Sequence, residues 1–222
     1  MTISENLKNF KNELPDNVTL VAVSKTKPVS DLMEAYNAGQ RVFGENKIQE
    51  MESKWQEMPK DIEWHMIGHV QRNKVKYMAP FVNLIHAVDS FKLLKEIDKE
   101  AEKNERTIAC LLQIKIAEED SKFGMDEADA ASLLSSEEFK KLQNVEVIGL
   151  MGMATFTDDE KQVSEEFQKL KKIYDKFRIQ AGQFSGSEFK VLSMGMSGDY
   201  KLAIENGSNM IRVGSAIFGE RN

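Results

Sequence analysis

The chain alternates short apolar runs with longer amphipathic segments. Residues 18–23, Val-Thr-Leu-Val-Ala-Val, form a β-branched run typical of a strand buried on both faces. Between residues 91 and 103, Phe91, Leu94 and Ile97 instead recur at helical spacing. Strands are predicted at 18–23, 41–44, 62–68, 82–88, 107–114, 145–150, 189–193 and 210–213. Helices are predicted at 30–37, 48–57, 71–77, 91–103, 127–142, 159–180 and 198–205.

This alternation predicts a single (β/α)8 barrel of the TIM type, with parallel strands inside and helices outside. The domain is expected to span residues 1–222, with no C-terminal β-domain, because the sequence stops just after the eighth strand. A doubly wound open sheet is the alternative. The apolar spacing at 159–180 also fits a coiled-coil seam, but a seam needs at least about three heptads, so a helix docked on the barrel is preferred.

Charge and targeting signals narrow the functional classes. The 222 residues include 30 Lys plus Arg against 36 Asp plus Glu, a net charge of −6. That sign argues against non-specific binding to nucleic acid or to an anionic membrane. The N-terminus has no signal-peptide core, and no run approaches the ~18 apolar residues of a membrane span. We therefore expect a cytoplasmic protein, and a monomer because no exposed apolar seam is evident.

The chain has one cysteine, Cys110, which excludes an intrachain disulfide. It lies in the apolar run 108–112, so a buried structural thiol is expected rather than a nucleophile.

Lys25 is the first candidate for chemistry, since active sites of such barrels gather at the C-terminal ends of the strands. Strand alternation places Val21, Val23 and Lys25 on one face, which directs Lys25 to the barrel mouth. A lysine desolvated there has a lowered pKa and can attack an aldehyde. A rim charge is the alternative, and Lys27, just before Pro28, is assigned to the rim.

The loops after the seventh and eighth strands, 193–198 and 214–219, are rich in Gly and Ser. Barrels commonly bind phosphate with these two loops, because small residues let backbone N–H groups approach the phosphate oxygens. Ser197 is expected to cap the following helix and to donate to the phosphate. Two ordinary glycine turns are the alternative.

Arg212 lies inside the eighth predicted strand, where an unpaired charge is costly. An inward arginine at a strand end needs an anionic or lone-pair partner, which a ligand can supply. A structural ion pair with a loop carboxylate is the alternative.

A lysine amine, a phosphate cradle and an inward arginine at one barrel mouth suit a phosphorylated aldehyde cofactor. Metal binding is not expected, since His65, His69 and His86 show no ligand spacing. The sequence also contains neither a dinucleotide fingerprint nor a P-loop.

Seven motifs run in order over nearly the whole chain. They are Ala-Val-Ser-Lys-Thr-Lys-Pro at 22–28, Phe-Gly-Glu-Asn at 43–46, Trp-His-Met-Ile-Gly-His-Val-Gln-Arg-Asn-Lys at 64–74, Ser-Lys-Phe-Gly at 121–124, Gly-Leu-Met at 149–151, Ser-Met-Gly-Met-Ser-Gly-Asp at 193–199 and Ile-Arg-Val-Gly-Ser-Ala-Ile-Phe-Gly at 211–219. Together they resemble the pyridoxal phosphate homeostasis protein family, which is related to the barrel domain of alanine racemase.

The resemblance implies pyridoxal 5′-phosphate (PLP) held as a Schiff base on Lys25, the first lysine of Ser-Lys-Thr-Lys-Pro. It implies that Arg212 faces the pyridine nitrogen, and that Lys122 matches a loop lysine involved in receiving or releasing the cofactor. The other implied contacts are Asn46 beside the ring, with Ser197, Gly214 and Ser215 around the phosphate. The sequence departs from the family pattern twice, with Lys47 in place of an aromatic residue and His69-Val70 in place of Pro-Leu or His-Leu. Neither departure touches the proposed lysine, arginine or phosphate contacts.

Three functions remain open. The first is a PLP-binding protein of vitamin B6 homeostasis that holds the aldehyde without a fast reaction and has apo-enzymes as transient partners. The second is a weak PLP-dependent amino-acid racemase, and the third is a barrel that binds a phosphorylated metabolite without covalent linkage. Racemisation needs acid/base groups on both faces of the substrate carbon. The four tyrosines all lie in predicted helices, and no C-terminal domain is expected to supply another, which favours the first function.

Overall fold

Eight parallel strands close into one barrel. The computed structural model describes residues 2–118, 123–184 and 188–219. Within these residues the strands follow one another in chain order and β1 pairs with β8, which confirms the predicted barrel over an open sheet. The strands are β1 (Thr19–Val23), β2 (Val42–Glu45), β3 (Glu63–Met66), β4 (Val82–Val88), β5 (Ile108–Gln113), β6 (Val145–Met151), β7 (Val191–Ser193) and β8 (Met210–Val213).

The α-helices surround the barrel. In the described residues they are α1 (Ile3–Glu13), α2 (Val29–Asn37), α3 (Ile48–Glu57), α4 (Val75–Met78), α5 (Phe91–Lys103), α6 (Glu127–Ser135), α7 (Glu160–Gln180), α8 (Tyr200–Glu205) and α9 (Ser215–Phe218). The longest, α7, buries Val163, Phe167, Leu170, Tyr174 and Phe177. It packs against β6 and is therefore a docked outer helix, as predicted, rather than half of a coiled coil.

Two helices were not predicted. α1 begins at a capping box, in which the hydroxyl of Thr2 accepts from the Glu5 amide and the Glu5 carboxylate accepts from the Thr2 amide. Leu7 and Phe10 are the buried residues of α1, too few for a periodic signal. The four-residue α9 is too short for one, and the Asn6 side chain ties α1 to it by donating to the carbonyl of Ile217.

The helix predicted at 127–142 is wrong in its second half. α6 ends at Ser135, Ser136 adopts an extended conformation, and a separate 3-10 turn follows at Phe139–Lys141. The hydroxyl of Ser136 accepts from the Phe139 amide at 3.1 Å, a local side-chain bond that competes with helix continuation.

The buried thiol expected at Cys110 is confirmed. Cys110 lies on β5 with no exposed surface, and burial raises the pKa of its thiol. No helix in the described residues is both long and apolar enough to cross a bilayer.

The inside of the barrel contains both an apolar cluster and a hydrogen-bonded series of polar side chains. The apolar cluster contains Val21, Leu84, Ala87, Leu111, Ile148, Met151, Val191 and Met210. His65 of β3, His86 of β4 and Ser193 of β7 form a chain, with His65 Nδ1 3.0 Å from His86 Nε2 and His86 Nδ1 3.1 Å from Ser193 Oγ. Because β4 and β7 are not neighbours in the barrel, the contact between His86 and Ser193 crosses its interior.

The imidazoles of His65 and His86 are both neutral near pH 7. Burial lowers the pKa of His65 to about 3. Burial also holds the pKa of His86 well below its usual value, with smaller contributions from His65 and Arg212. The folded state therefore disfavours protonation of either ring.

Acid should destabilise the fold through these two histidines. In the unfolded chain an imidazole binds a proton below about pH 6.5, whereas the folded protein excludes it until far lower pH, so stability falls as pH falls. We expect the free energy of unfolding to drop by about 2 kcal/mol per buried histidine between pH 7 and pH 5. His65→Asn keeps a polar partner for His86 but cannot titrate. In urea titrations at the two pH values, this variant should therefore show only about half of the total drop seen in the unmodified protein. An equal drop in both proteins would contradict this account.

Position 149 of β6 must be a glycine, because the backbone of β7 lies too close for a side chain. A Cβ added there would lie 1.8 Å from the carbonyl oxygen of Val191, its partner in the strand register. We expect Gly149→Ala to lower the free energy of unfolding by about 3 kcal/mol, because the two strands cannot separate without losing their pairing. Gly182→Ala is the control, since the described residues leave its added methyl without a neighbour within 4 Å. Equal denaturation midpoints for the two variants would refute the packing argument.

Candidate functional site

A cavity of about 640 Å³ opens at the C-terminal ends of the strands. All six residues predicted as cofactor contacts line it, although they come from four different loops, one strand and the start of one helix. They are Lys25, Asn46, Ser197, Arg212, Gly214 and Ser215. The predicted set is therefore one contiguous surface.

Lys25 stands two residues beyond the end of β1 and lines the cavity together with Val23, as the strand alternation predicted. It is half-buried, so its side chain is partly removed from water. The amide of Lys27 donates to the carbonyl of Ser24 at 3.0 Å, which makes residues 24–27 a tight turn. Thr26 in this turn has a φ of +65°, a left-handed conformation that costs a β-branched residue on the order of 1–3 kcal/mol.

Lys27 also lines the cavity. Its ammonium donates to the carbonyl of Phe218 at 3.0 Å, which ties the turn after β1 to the end of α9.

Arg212 is buried on β8 and reaches the cavity from the barrel interior. Its guanidinium donates to Ser193 Oγ at 2.6 Å and to the carbonyl of Gly152 at 3.0 Å, so these partners are neutral oxygens rather than a loop carboxylate. Burial lowers the pKa of Arg212 to about 10, with an opposing contribution from Asp199. The Arg212 guanidinium remains a cation at neutral pH. The hydrogen-bonded series of Ser193, His86 and His65 supports it from below.

The loop after β7 differs from the prediction at Ser197. α8 begins at Tyr200 with Asp199 in the N-cap position, so Ser197 does not cap this helix. Ser197 Oγ instead accepts from the amide of Gly214 at 3.2 Å. This bond joins the loops after β7 and β8, the two loops predicted to hold a phosphate.

The loop after β8 turns directly into α9. Gly214 is the N-cap residue and Ser215, which is exposed, is the first helical residue. A Cβ on Gly214 would lie 3.1 Å from the carbonyl oxygen of Val23, so glycine allows close approach to the end of β1. The two loops thus present small residues to the same end of the cavity.

Asn46 follows β2 immediately and is half-buried at the cavity wall. The backbone of Gly68 packs against it so closely that an added Cβ would be 2.4 Å from the Asn46 carbonyl oxygen. The loops after β2 and β3 therefore hold each other in place.

Sequence reasoning missed several residues of the cavity wall that come from the ends of β3, β5 and β6. His69, Gln113, Phe123, Met153 and Phe156 line the cavity there. His69 Nδ1 is 3.5 Å from the carboxylate of Asp89, and its ring stacks on that of Phe123 at 4.4 Å between centroids. The positions of His69 and Asp89 at strand ends were visible in the sequence, but their pairing was not.

Lys122 lies outside the described residues. The four tyrosines lie in helices, as predicted: Tyr36 in α2, Tyr77 in α4, Tyr174 in α7 and Tyr200 in α8. In the described part of the chain the cavity wall includes none of them.

Comparison with known proteins gives consistent matches over the whole chain. The family model described as alanine racemase, N-terminal domain, matches residues 1–222. The pyridoxal phosphate homeostasis protein of Vibrio alginolyticus is 39% identical over 213 residues, covering 94% of this chain and 88% of that protein. The protein of the same name from Schizosaccharomyces pombe is 38% identical over 211 residues, covering 92% and 85%.

The fold matches a solved structure equally well. The structure of PipY from Synechococcus elongatus PCC7942 with PLP bound superposes with a TM-score of 0.88 at 35% identity, covering 98% of this chain and 100% of that one. By sequence and by fold, this chain belongs to the pyridoxal phosphate homeostasis protein family, whose barrel is that of the alanine racemase N-terminal domain.

Proposed function

We propose that this chain binds PLP at the barrel mouth, holds it as a Schiff base on Lys25, and serves intracellular vitamin B6 homeostasis. The observation that carries the proposal is the convergence of Lys25, Arg212 and the two small-residue loops on one cavity. The names of the relatives and the PLP bound in PipY point to the same ligand.

The residues fit the chemical groups of PLP. The cavity, about 640 Å³, is within the range of roughly 300–1,000 Å³ typical of small-molecule sites. The Lys25 nitrogen would bond to the aldehyde carbon with loss of water, and the phosphate would lie against Ser197, Gly214 and Ser215. Arg212 would face the ring nitrogen as a hydrogen-bond donor, and Asn46 would lie beside the ring.

The arrangement favours holding the cofactor over fast catalysis. Bound PLP supplies an electrophilic aldehyde and a ring that can accept electrons. A cationic arginine has no proton acceptor to offer, so it keeps the ring nitrogen unprotonated and weakens that electron acceptor. The positive charge of Arg212 is retained at neutral pH, because its lowered pKa is still about 10.

A weak PLP-dependent amino-acid racemase is the second candidate function. It is supported by His69, which lines the cavity and whose Nδ1 is 3.5 Å from the Asp89 carboxylate. A histidine oriented by a carboxylate can transfer a proton to or from a substrate carbon. Exchange of the α-proton of amino acids for deuterium, lost on His69→Asn, would support this candidate over a pure carrier.

We further propose that the protein acts in the cytoplasm as a monomer that passes PLP to apo-enzymes in transient contacts. The exposed side chains of Phe123 and Phe156 beside the cavity would suit short-lived protein contacts. Light scattering of the loaded protein tests the monomer, and recovery of activity by an added apo-enzyme tests the transfer.

The Lys25 assignment predicts a covalent adduct. Purified protein mixed with PLP should show the absorbance band of a lysine Schiff base, and borohydride should fix the cofactor to the peptide that contains Lys25. Lys25→Ala should lose both the band and the fixed mass, because the linking nitrogen is gone. Lys27→Ala, which removes a neighbouring lysine of the same cavity, is the matched control and should retain them. A reducible adduct in Lys25→Ala would show that another residue links the cofactor.

Arg212 is predicted to contribute to affinity. Arg212→Gln should raise the dissociation constant for PLP by about 10-fold or more, since a hydrogen bond from a charged group contributes about 1.5–3 kcal/mol. Arg72→Gln removes an exposed charge away from the cavity and should change it by less than about 2-fold. Unchanged affinity in Arg212→Gln, with folding intact by circular dichroism, would remove Arg212 from the site.

A further inference from the structure

Three charged side chains meet beside the turn that carries Lys25. Glu45 ends β2, and Glu50 and Lys54 lie one turn apart on α3. Lys54 and Glu45 are buried and Glu50 is partly buried. These three residues, the support cluster, lie outside the cavity wall described above, so contact with a ligand does not account for their burial.

The ammonium of Lys54 is fully committed within this cluster. It donates to the carbonyl of Ser24 at 2.8 Å and to one oxygen each of Glu45 and Glu50, both at 2.7 Å. A lysine ammonium has three N–H donors and no acceptor, so these contacts use all of them. Lys54 is therefore a structural cation and not a second candidate for the linking amine.

The cluster is bonded to both chain neighbours of Lys25. On one side the carbonyl of Ser24 accepts from Lys54, and its hydroxyl donates to Glu45 Oε1 at 2.6 Å. On the other side the amide of Thr26 donates to Glu50 Oε1 at 2.6 Å. The backbone before and after Lys25 is thus attached to β2 and α3.

Thr26 needs such an attachment. Its φ of +65° is a conformation that glycine adopts readily and a β-branched residue rarely does. It occupies the third position of the turn that the Lys27 amide closes onto Ser24, where glycine or asparagine is usual. Strained conformations of this kind persist where surrounding contacts determine them, and the carboxylate of Glu50 is such a contact.

We propose that Lys54, Glu45 and Glu50 are positioning residues for Lys25. They hold the turn at 24–27 in its strained form, which aims the Lys25 side chain into the cavity and speeds its linkage to an aldehyde. The inference rests on the proposed function, since it concerns the same lysine. It adds a supporting shell on the outer side of the turn.

Glu50 is the residue to change first. Glu45 is fully buried and its Oε2 atom has no hydrogen-bond partner among the described residues, so removing Lys54 would leave a buried charge uncompensated and endanger the fold. Glu50 is the most exposed member and accepts from Thr26 directly. Glu50→Ala removes the acceptor, whereas Glu50→Gln keeps an oxygen in the same place.

The first measurement is the rate of linkage, followed as the Schiff-base absorbance grows after PLP is mixed with cofactor-free protein. Glu50→Ala should slow it by about 10-fold, because a small misplacement of a reacting group costs up to about 100-fold in rate. Glu50→Gln should stay within about 2-fold of the unmodified protein. Glu165→Ala, which removes the carboxylate of the exposed i,i+4 pair with Lys161, is the matched control and should have no effect. Equal rates in Glu50→Ala and the unmodified protein, or equal slowing in Glu165→Ala, would overturn the proposal.

A double-mutant cycle tests whether Glu50 acts through Thr26. Glycine adopts the left-handed conformation without strain, so in a Thr26→Gly background Glu50→Ala should slow linkage by no more than about 3-fold. A purely structural role of Glu50 would give the same loss in both backgrounds. That result would overturn the mechanism.

A cofactor-free measurement separates this inference from the proposed function. Hydrogen exchange of the Thr26 amide should be at least about 10-fold faster in Glu50→Ala than in Glu50→Gln, since the first variant has lost the acceptor. If the unmodified protein forms no adduct on Lys25, the proposed function fails, and unchanged Thr26 exchange would then overturn the role of the cluster as well. If linkage occurs and Thr26 exchange does not change, the cluster alone is refuted.

Discussion

The pairing of β1 with β8 is the contact on which the rest of this structure depends. Four residue pairs, from Thr19 with Met210 to Ala22 with Val213, join the first strand of the barrel to the last. Because the strands are parallel and in register, their C-terminal loops end side by side, and the turn that carries Lys25 meets the loop that begins at Gly214. Without this closure the groups expected to bind the aldehyde and the phosphate would lie on separate edges of an open sheet.

Below the mouth, the barrel keeps two different polar arrangements out of water. Inside, Arg212 donates to Ser193, which contacts the neutral pair His86 and His65, so the direct side-chain partner of this cation is neutral, although Asp199 also favours its charged form. Outside β1, Lys54 is stabilised by two carboxylates. A neutral chain leaves the positive charge of Arg212 available to a ligand, whereas the ion cluster has no net cation to offer. The neutral series thus supports a cation that faces the cavity, and the ion cluster supports the turn after β1.

The apolar part of the interior has a different role. Its side chains fill space between the strands, and at Gly149 the backbone of β7 occupies the place of a side chain. Close packing of this kind transmits any shift of a strand to the mouth. The walls of the cavity are mostly loops whose starting points are fixed by the ends of the strands.

The sequence by itself determined the eight strands and the helices between them, the barrel, and the candidate residues Lys25 and Arg212, because each depends on a local period or on a position at a strand end. Asn46, Ser197, Gly214 and Ser215 came from loop composition or from the family resemblance. Only the tertiary structure decided that Ser197 bonds to Gly214 and does not cap α8. It also decided that His86 meets Ser193, 107 residues away, and that Lys54 supports the turn after β1. These contacts join residues with no shared local pattern. Pairing of neighbouring strands brings Ser197 to Gly214 and Lys54 to the turn after β1, whereas closure of the barrel brings His86 to Ser193.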